Sequence, residues 1–73
     1  MRQSYMGGAH HLVQTGERHT LFFVQRDVLD RLDGGPTEKP TVLLAHQHCL
    51  ELDGLCLDAF AGRPVEGVSI VPF

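Results

Sequence analysis

The chain has 73 residues, 42% of them hydrophobic and 21% charged, with a formal net charge of −3; that fits one domain with a small core and excludes a disordered chain. The six basic residues, Arg2, Arg18, Arg26, Arg31, Lys39 and Arg63, are scattered, so no basic face is expected to displace counterions from phosphates and direct nucleic-acid binding is not expected. No apolar run approaches a membrane span and the N-terminus lacks a signal-peptide core, which makes the expected compartment the cytoplasm.

Residues 1–8, with Gly7-Gly8, read as a flexible tail, and residues 9–73 as a single domain. Residues 10–14 and 19–25 are rich in Val, Phe, Leu and Thr around Thr15-Gly16-Glu17-Arg18. That pattern predicts two strands joined by a longer hairpin turn. Leu21-Phe22-Phe23-Val24 is apolar on both faces, which predicts a strand covered on both sides. The period then changes. Val28, Leu29 and Leu32 share a helical face, predicting a helix over about 27–33, with Asp27 at its start, Gly34 at its end and an Asp27–Arg31 pair along it. "GGPTEKP" is a loop. "VEGVSIVPF" reads as a last strand over about 65–71, ending at Pro72, which cannot donate to a ladder.

The stretch "LLAHQHCLELDGLCLDAF" admits a hairpin turning at Asp53-Gly54, which would make the protein mostly β, or a helix over about 41–61. Helix is favoured. Residues 43–57 hold six leucines and no Val or Ile, a choice that suits helix better than strand. Ala45, Cys49, Leu52, Cys56 and Phe60 recur as one helical stripe, with Thr41 to cap the start and Gly62 and Pro64 to mark the end. Gly54 is the defect in this helix, at about 1 kcal/mol against Ala.

A metal site is the weaker alternative, with His46 and Cys49 as its candidate ligands. Seven residues of helix place Cys49 and Cys56 about 10 Å apart, too far to share one tetrahedral ion or a disulfide. Both thiols are therefore expected to be free, Cys49 as a partly buried packing group, and neither a metal nor a cofactor is expected. His10, His11 and His19 flank the first hairpin, and His19 is expected to face His11 or His10 with Glu17 nearby. No nucleophile elbow, P-loop or dinucleotide fingerprint accompanies them, so no catalytic residue is assigned.

Leu43, Leu50 and Leu57 form a second stripe on the 41–61 helix. Together the two stripes spread apolar surface over more than half the circumference, more than the roughly 100° a surface helix needs. The surplus must meet either the first helix, as core, or another chain; the second reading predicts a partner-binding surface of Leu43, His46, Leu50, Asp53 and Leu57, with Asp53 at its edge because a buried unpaired carboxylate is costly.

The order strand, strand, helix, helix, strand, carried by "HTLFFVQRDVLDRL", "LLAHQHCLELDGLCLDAFAG" and "GVSIVPF" over residues 10–73, resembles a family of small uncharacterised bacterial proteins of unknown function. Ala45, Cys49 and Leu52 stand where that family carries an aromatic, an Arg and an Ile, and Pro72 stands for its acidic residue. The resemblance implies the fold and no activity. The expectation is an α+β domain with a small antiparallel sheet and two helices. Its expected function is non-enzymatic protein interaction, as a homodimer or as an adaptor or inhibitor of a larger complex such as a mobile element encodes. A His/Cys metal-binding or regulatory protein is the alternative.

Overall fold

The computed structural model describes residues 7–72. Its elements are β1 (Gly8–Thr15), β2 (Arg18–Gln25), α1 (Arg26–Leu32), α2 (Thr41–Gln47), α3 (Cys49–Phe60) and β3 (Val68–Ile70). The strands form one antiparallel sheet in the order β1-β2-β3, which makes this a small α+β fold. Of the tail expected at 1–8, residues 1–6 lie outside the described residues, while Gly8 already opens β1. No described helix is long and apolar enough to cross a membrane.

The hairpin is tighter than its sequence predicts. Thr15 pairs with Arg18, leaving a two-residue loop, Gly16-Glu17. Gly16 takes φ +69° and no described non-glycine residue has a positive φ. Glycine at the first central position is the II′ arrangement, whose twist matches the flanking strands. The register then sets the histidines: His19 opposes Gln14, His11 opposes Phe22 and His10 opposes Phe23. The expected pairing of His19 with His10 or His11 does not form.

Alternation along the strands places Ala9, His11, Val13 and Thr15 on one face with Thr20, Phe22 and Val24. This face holds the core. Val13, Phe22 and Val24 meet Val28 and Leu29 of α1, Leu44 of α2, and Leu52 and Cys56 of α3. Buried Thr15 satisfies its hydroxyl on that of Thr20 at 2.6 Å. β2 is central, as its apolar run predicts, but it is not covered on both sides. All three helices lie in the single connection between β2 and β3, and one connection covers one face. Leu21 and Phe23 point to the other.

Both longer connections leave their helices through the same device. At the end of α1, Gly35 N–H donates to Asp30 O at 2.8 Å and Gly34 N–H to Arg31 O at 3.1 Å, with Gly34 at φ +97°. At the end of α3, Arg63 N–H donates to Asp58 O at 3.0 Å and Gly62 N–H to Ala59 O at 3.1 Å, with Gly62 at φ +92°. These are Schellman motifs, which satisfy the last carbonyls and need a left-handed residue. α1 begins at Arg26, with Gln25 as its N-cap, and its i,i+4 ion pair is Arg26–Asp30 at 2.9 Å in place of the expected Asp27–Arg31.

The 41–61 stretch is helical, and the hairpin at Asp53-Gly54 is excluded. It is two helices, not one. The break falls at His48, at φ −109° and ψ 28°. The His48 ring is held there by Asp33 and Glu51, and the break leaves Leu44 and Leu52 both fully buried. Thr41 does not cap α2. Pro40 is the N-cap and the Thr41 hydroxyl instead accepts from Arg26 at 2.8 Å. Of the expected core stripe, Leu52 and Cys56 are buried, Ala45 packs against the core, and Cys49 and Phe60, at the two ends of α3, are exposed. Both cysteines are free, but Cys49 is not the packing group expected. β3 is shorter than 65–71 because a turn precedes it, with Gly67 at φ +85° and Val68 N–H donating to Val65 O at 3.2 Å.

Candidate functional site

The five residues predicted to contact a partner do not all share one helix. Leu50 and Leu57 lie seven residues apart on one side of α3, with Gly54 between them contributing no side chain. They are 83% and 45% exposed, and Phe60, one helical position round from Leu57, is 51% exposed. Asp53 flanks this strip and is half-buried. Leu43 and His46 are exposed on α2, so the turn at His48 divides the predicted stripe between two helix axes.

A second apolar area lies on the open face of the sheet. Leu12 opposes Leu21, and Val71 N–H donates to Leu21 O at 2.8 Å, so the three side chains cross the sheet in one row. Phe23 adjoins it, with the His10 ring edge-on at 5.3 Å. Sequence reasoning missed this face because it expected cover on both sides of β2.

Between the strand and helix layers sits a polar cluster. His11 belongs to the core face of β1, next to Val13, and its side chain is only 12% exposed. An imidazole there must find a partner, since a buried polar group without one is costly. It does: His11 Nε2–H donates to Asp53 Oδ1 of α3 at 2.7 Å. Cys49, one helical turn before Asp53, brings its thiol to the same place. One ligand atom each from His11, Cys49 and Asp53 lie within 4.8 Å of one another. Cys49 is thus grouped with His11 and Asp53, and His46 takes no part. The signal in the sequence was parity: His11 alternates with Ala9 and Val13 and must face inward with them.

Cys56, one further turn along α3, is chemically silent by contrast. Burial pushes its thiol up to about 11, and the Asp53 charge pushes the same way. Cys49 is exposed at the start of α3.

Two further clusters are structural. His48 donates from Nε2 to Asp33 Oδ1 at 2.9 Å and meets Glu51 Oε2 through Nδ1 at 3.2 Å. With a carboxylate on each nitrogen the ring favours its doubly protonated form, so its pKa is raised, first by Asp33 and then by Glu51. The Asp33 carboxyl is held low by His48 and Lys39, and that of Glu51 by His48. The second cluster surrounds Arg26 in a groove lined by Ala9, His10, Asp30, Thr41 and Ala45. Its guanidinium donates to Asp30 and Thr41 and to the carbonyls of Thr37 and Lys39 at 2.7–2.9 Å. These bonds tie the 33–40 loop to α1 and leave the cation little capacity for a ligand. No catalytic constellation emerges from either cluster.

Comparison of the chain with protein-family models, with curated proteins and with solved structures finds no match.

Proposed function

We propose that this protein is a non-enzymatic interaction module that associates with a second copy of itself through the Leu50–Leu57 side of α3. The observation that carries this reading is the exposure of Leu50, at 83%, beside Leu57 and Phe60 on the same helix. Leucines scattered singly on a surface are ordinary, but a contiguous apolar strip is the feature of a contact. Asp53, drawn back toward His11, and Asp58 supply the polar border that such contacts carry. Gly54 leaves the centre of the strip flat, which lets two helices approach closely.

A second copy is the simplest occupant because a two-fold contact needs only one self-complementary patch. Use of the same strip as an adaptor or inhibitor surface on a larger complex is part of this proposal. A second reading places the contact on the open sheet face, favoured by the row Leu12, Leu21 and Val71. Light scattering across a concentration series tests the first reading, with Leu50→Asp and Leu12→Asp as comparison variants. Mass should rise with concentration in the wild type and in Leu12→Asp, and remain monomeric in Leu50→Asp. The opposite pattern for the two variants moves the contact to the sheet.

A further inference from the structure

We infer that His11, Cys49 and Asp53 form a binding site for a zinc-type divalent ion that pins α3 to β1. The site joins a strand residue to a helix pair 38 and 42 positions later in the chain. Three observations converge on it. First, the donor set is imidazole nitrogen, thiol sulfur and carboxylate oxygen, the set that zinc accepts and that magnesium and calcium, which take oxygen, do not. Second, the atoms are already gathered within 4.8 Å of one another. Tetrahedral zinc with bonds of 2.0–2.3 Å needs ligand atoms about 3.3–3.6 Å apart. The His11–Asp53 pair, at 2.7 Å, must open by about 0.6 Å, and the Cys49 thiol, no more than 4.8 Å from either partner, must close by at most about 1.3 Å. Third, the two helix ligands are at i and i+4, so they present to the ring from one side.

That last point separates a metal site from a nucleophile relay. A thiol–imidazole–carboxylate relay needs the carboxylate on one ring nitrogen and the thiol on the other. Here Cys49 and Asp53 come off successive turns of one helix and converge on the same region of the ring. An ion placed among them takes the His11 nitrogen and the Asp53 oxygen that now share a proton, together with the Cys49 sulfur. Binding releases the Cys49 thiol proton to solvent, while the proton on the coordinating His11 nitrogen moves to the other ring nitrogen so that the ligand is a neutral imidazole; no oxidation or reduction is involved. Three protein ligands leave a fourth position facing solvent, since Cys49 is exposed and the Asp53 side chain is 42% exposed. For a domain of this size such an ion is a staple between layers.

The experiment is titration of the full chain with Zn²⁺, and with Co²⁺ as its visible stand-in, followed by metal content after gel filtration. The expected result is one ion per chain, a sulfur-to-cobalt charge-transfer band, and a melting temperature that rises with Zn²⁺ and falls back with chelator. Cys49 is exposed, so Cys49→Ser should fold as the wild type does and lose the band. Its zinc affinity should fall roughly 10–100-fold or more, the loss that even an outer-shell partner produces. His46→Gln should bind as the wild type does. Zinc binding that survives Cys49→Ser unchanged, or that fails with His46→Gln instead, overturns the assignment, as does the absence of stoichiometric binding at micromolar zinc. The result is independent of self-association, because Cys49→Ser leaves Leu50 and Leu57 in place.

Discussion

Leu50→Asp distinguishes a contact leucine from a core one. Leu50 keeps 83% of its surface in the monomer, so the substitution removes almost no packing and should change folding stability by no more than about 0.5 kcal/mol. In a two-fold dimer the same side chain is buried once in each protomer. Full burial of a leucine stabilises by about 1.5–3 kcal/mol. Scaled to the exposed fraction and counted for both copies, Leu50 contributes roughly 2.5–5 kcal/mol to association. At about 1.4 kcal/mol per tenfold, its loss weakens the dimer by roughly two to three and a half orders of magnitude. Two carboxylates facing each other add to that. Sedimentation equilibrium of wild type and variant gives the dissociation constants, and urea denaturation gives the stability of each. A wild type that stays monomeric at millimolar concentration, or a variant whose loss of association merely tracks several kcal/mol of unfolding, refutes the reasoning. Leu52→Ala is the contrast: Leu52 is fully buried, and its truncation should cost about 2–5 kcal/mol.

Three other outcomes follow from individual residues. The His48 pKa is raised above its ordinary 6.5, so its stabilising effect is complete below about that pH and is lost as pH rises through the raised folded value. Asp33 and Glu51 are lowered, so theirs is lost as pH falls through their lowered values; thermal melts should show both flanks, and His48→Gln should flatten the upper one. In native protein Cys49 should react with one equivalent of a thiol reagent while Cys56, buried and raised to about 11, reacts only on unfolding; two fast equivalents would contradict its burial. Gly54→Ala should stabilise by about 0.8–1 kcal/mol, because a Cβ there meets nothing within 4 Å, whereas Gly67→Ala should destabilise, because its φ is +85° and its Cβ would clash with Val28 Cγ2; equal melting temperatures for the two variants would contradict this.

Local chemistry made most of the fold legible. The change from branched and aromatic residues in 19–25 to leucines in 43–57 separates strand from helix, and Gly34 and Gly62 end helices as their sequence positions suggest. What the sequence did not reveal is long-range. The break at His48 depends on Asp33, fifteen residues earlier, and without that partner the leucine pattern reads as one continuous helix. The Arg26 clamp displaced two local expectations at once, since its guanidinium claims Asp30 and the Thr41 hydroxyl that would otherwise cap α2. The His11–Asp53 contact spans 42 positions. Strand parity shows that His11 faces inward, but only the packing of α3 on β1 shows what it meets. The leucine strip was legible as a surplus of apolar circumference, and its division between α2 and α3 was not.

The most direct test of the account is a concentration series of amide spectra on the isotope-labelled wild type, with each perturbed resonance assigned. Self-association through α3 requires shifts that grow with concentration and centre on Leu50, Gly54 and Leu57, with Asp53 at their edge. Spectra that do not change up to millimolar concentration, or changes confined to Leu12, Leu21, Phe23 and Val71, would contradict it.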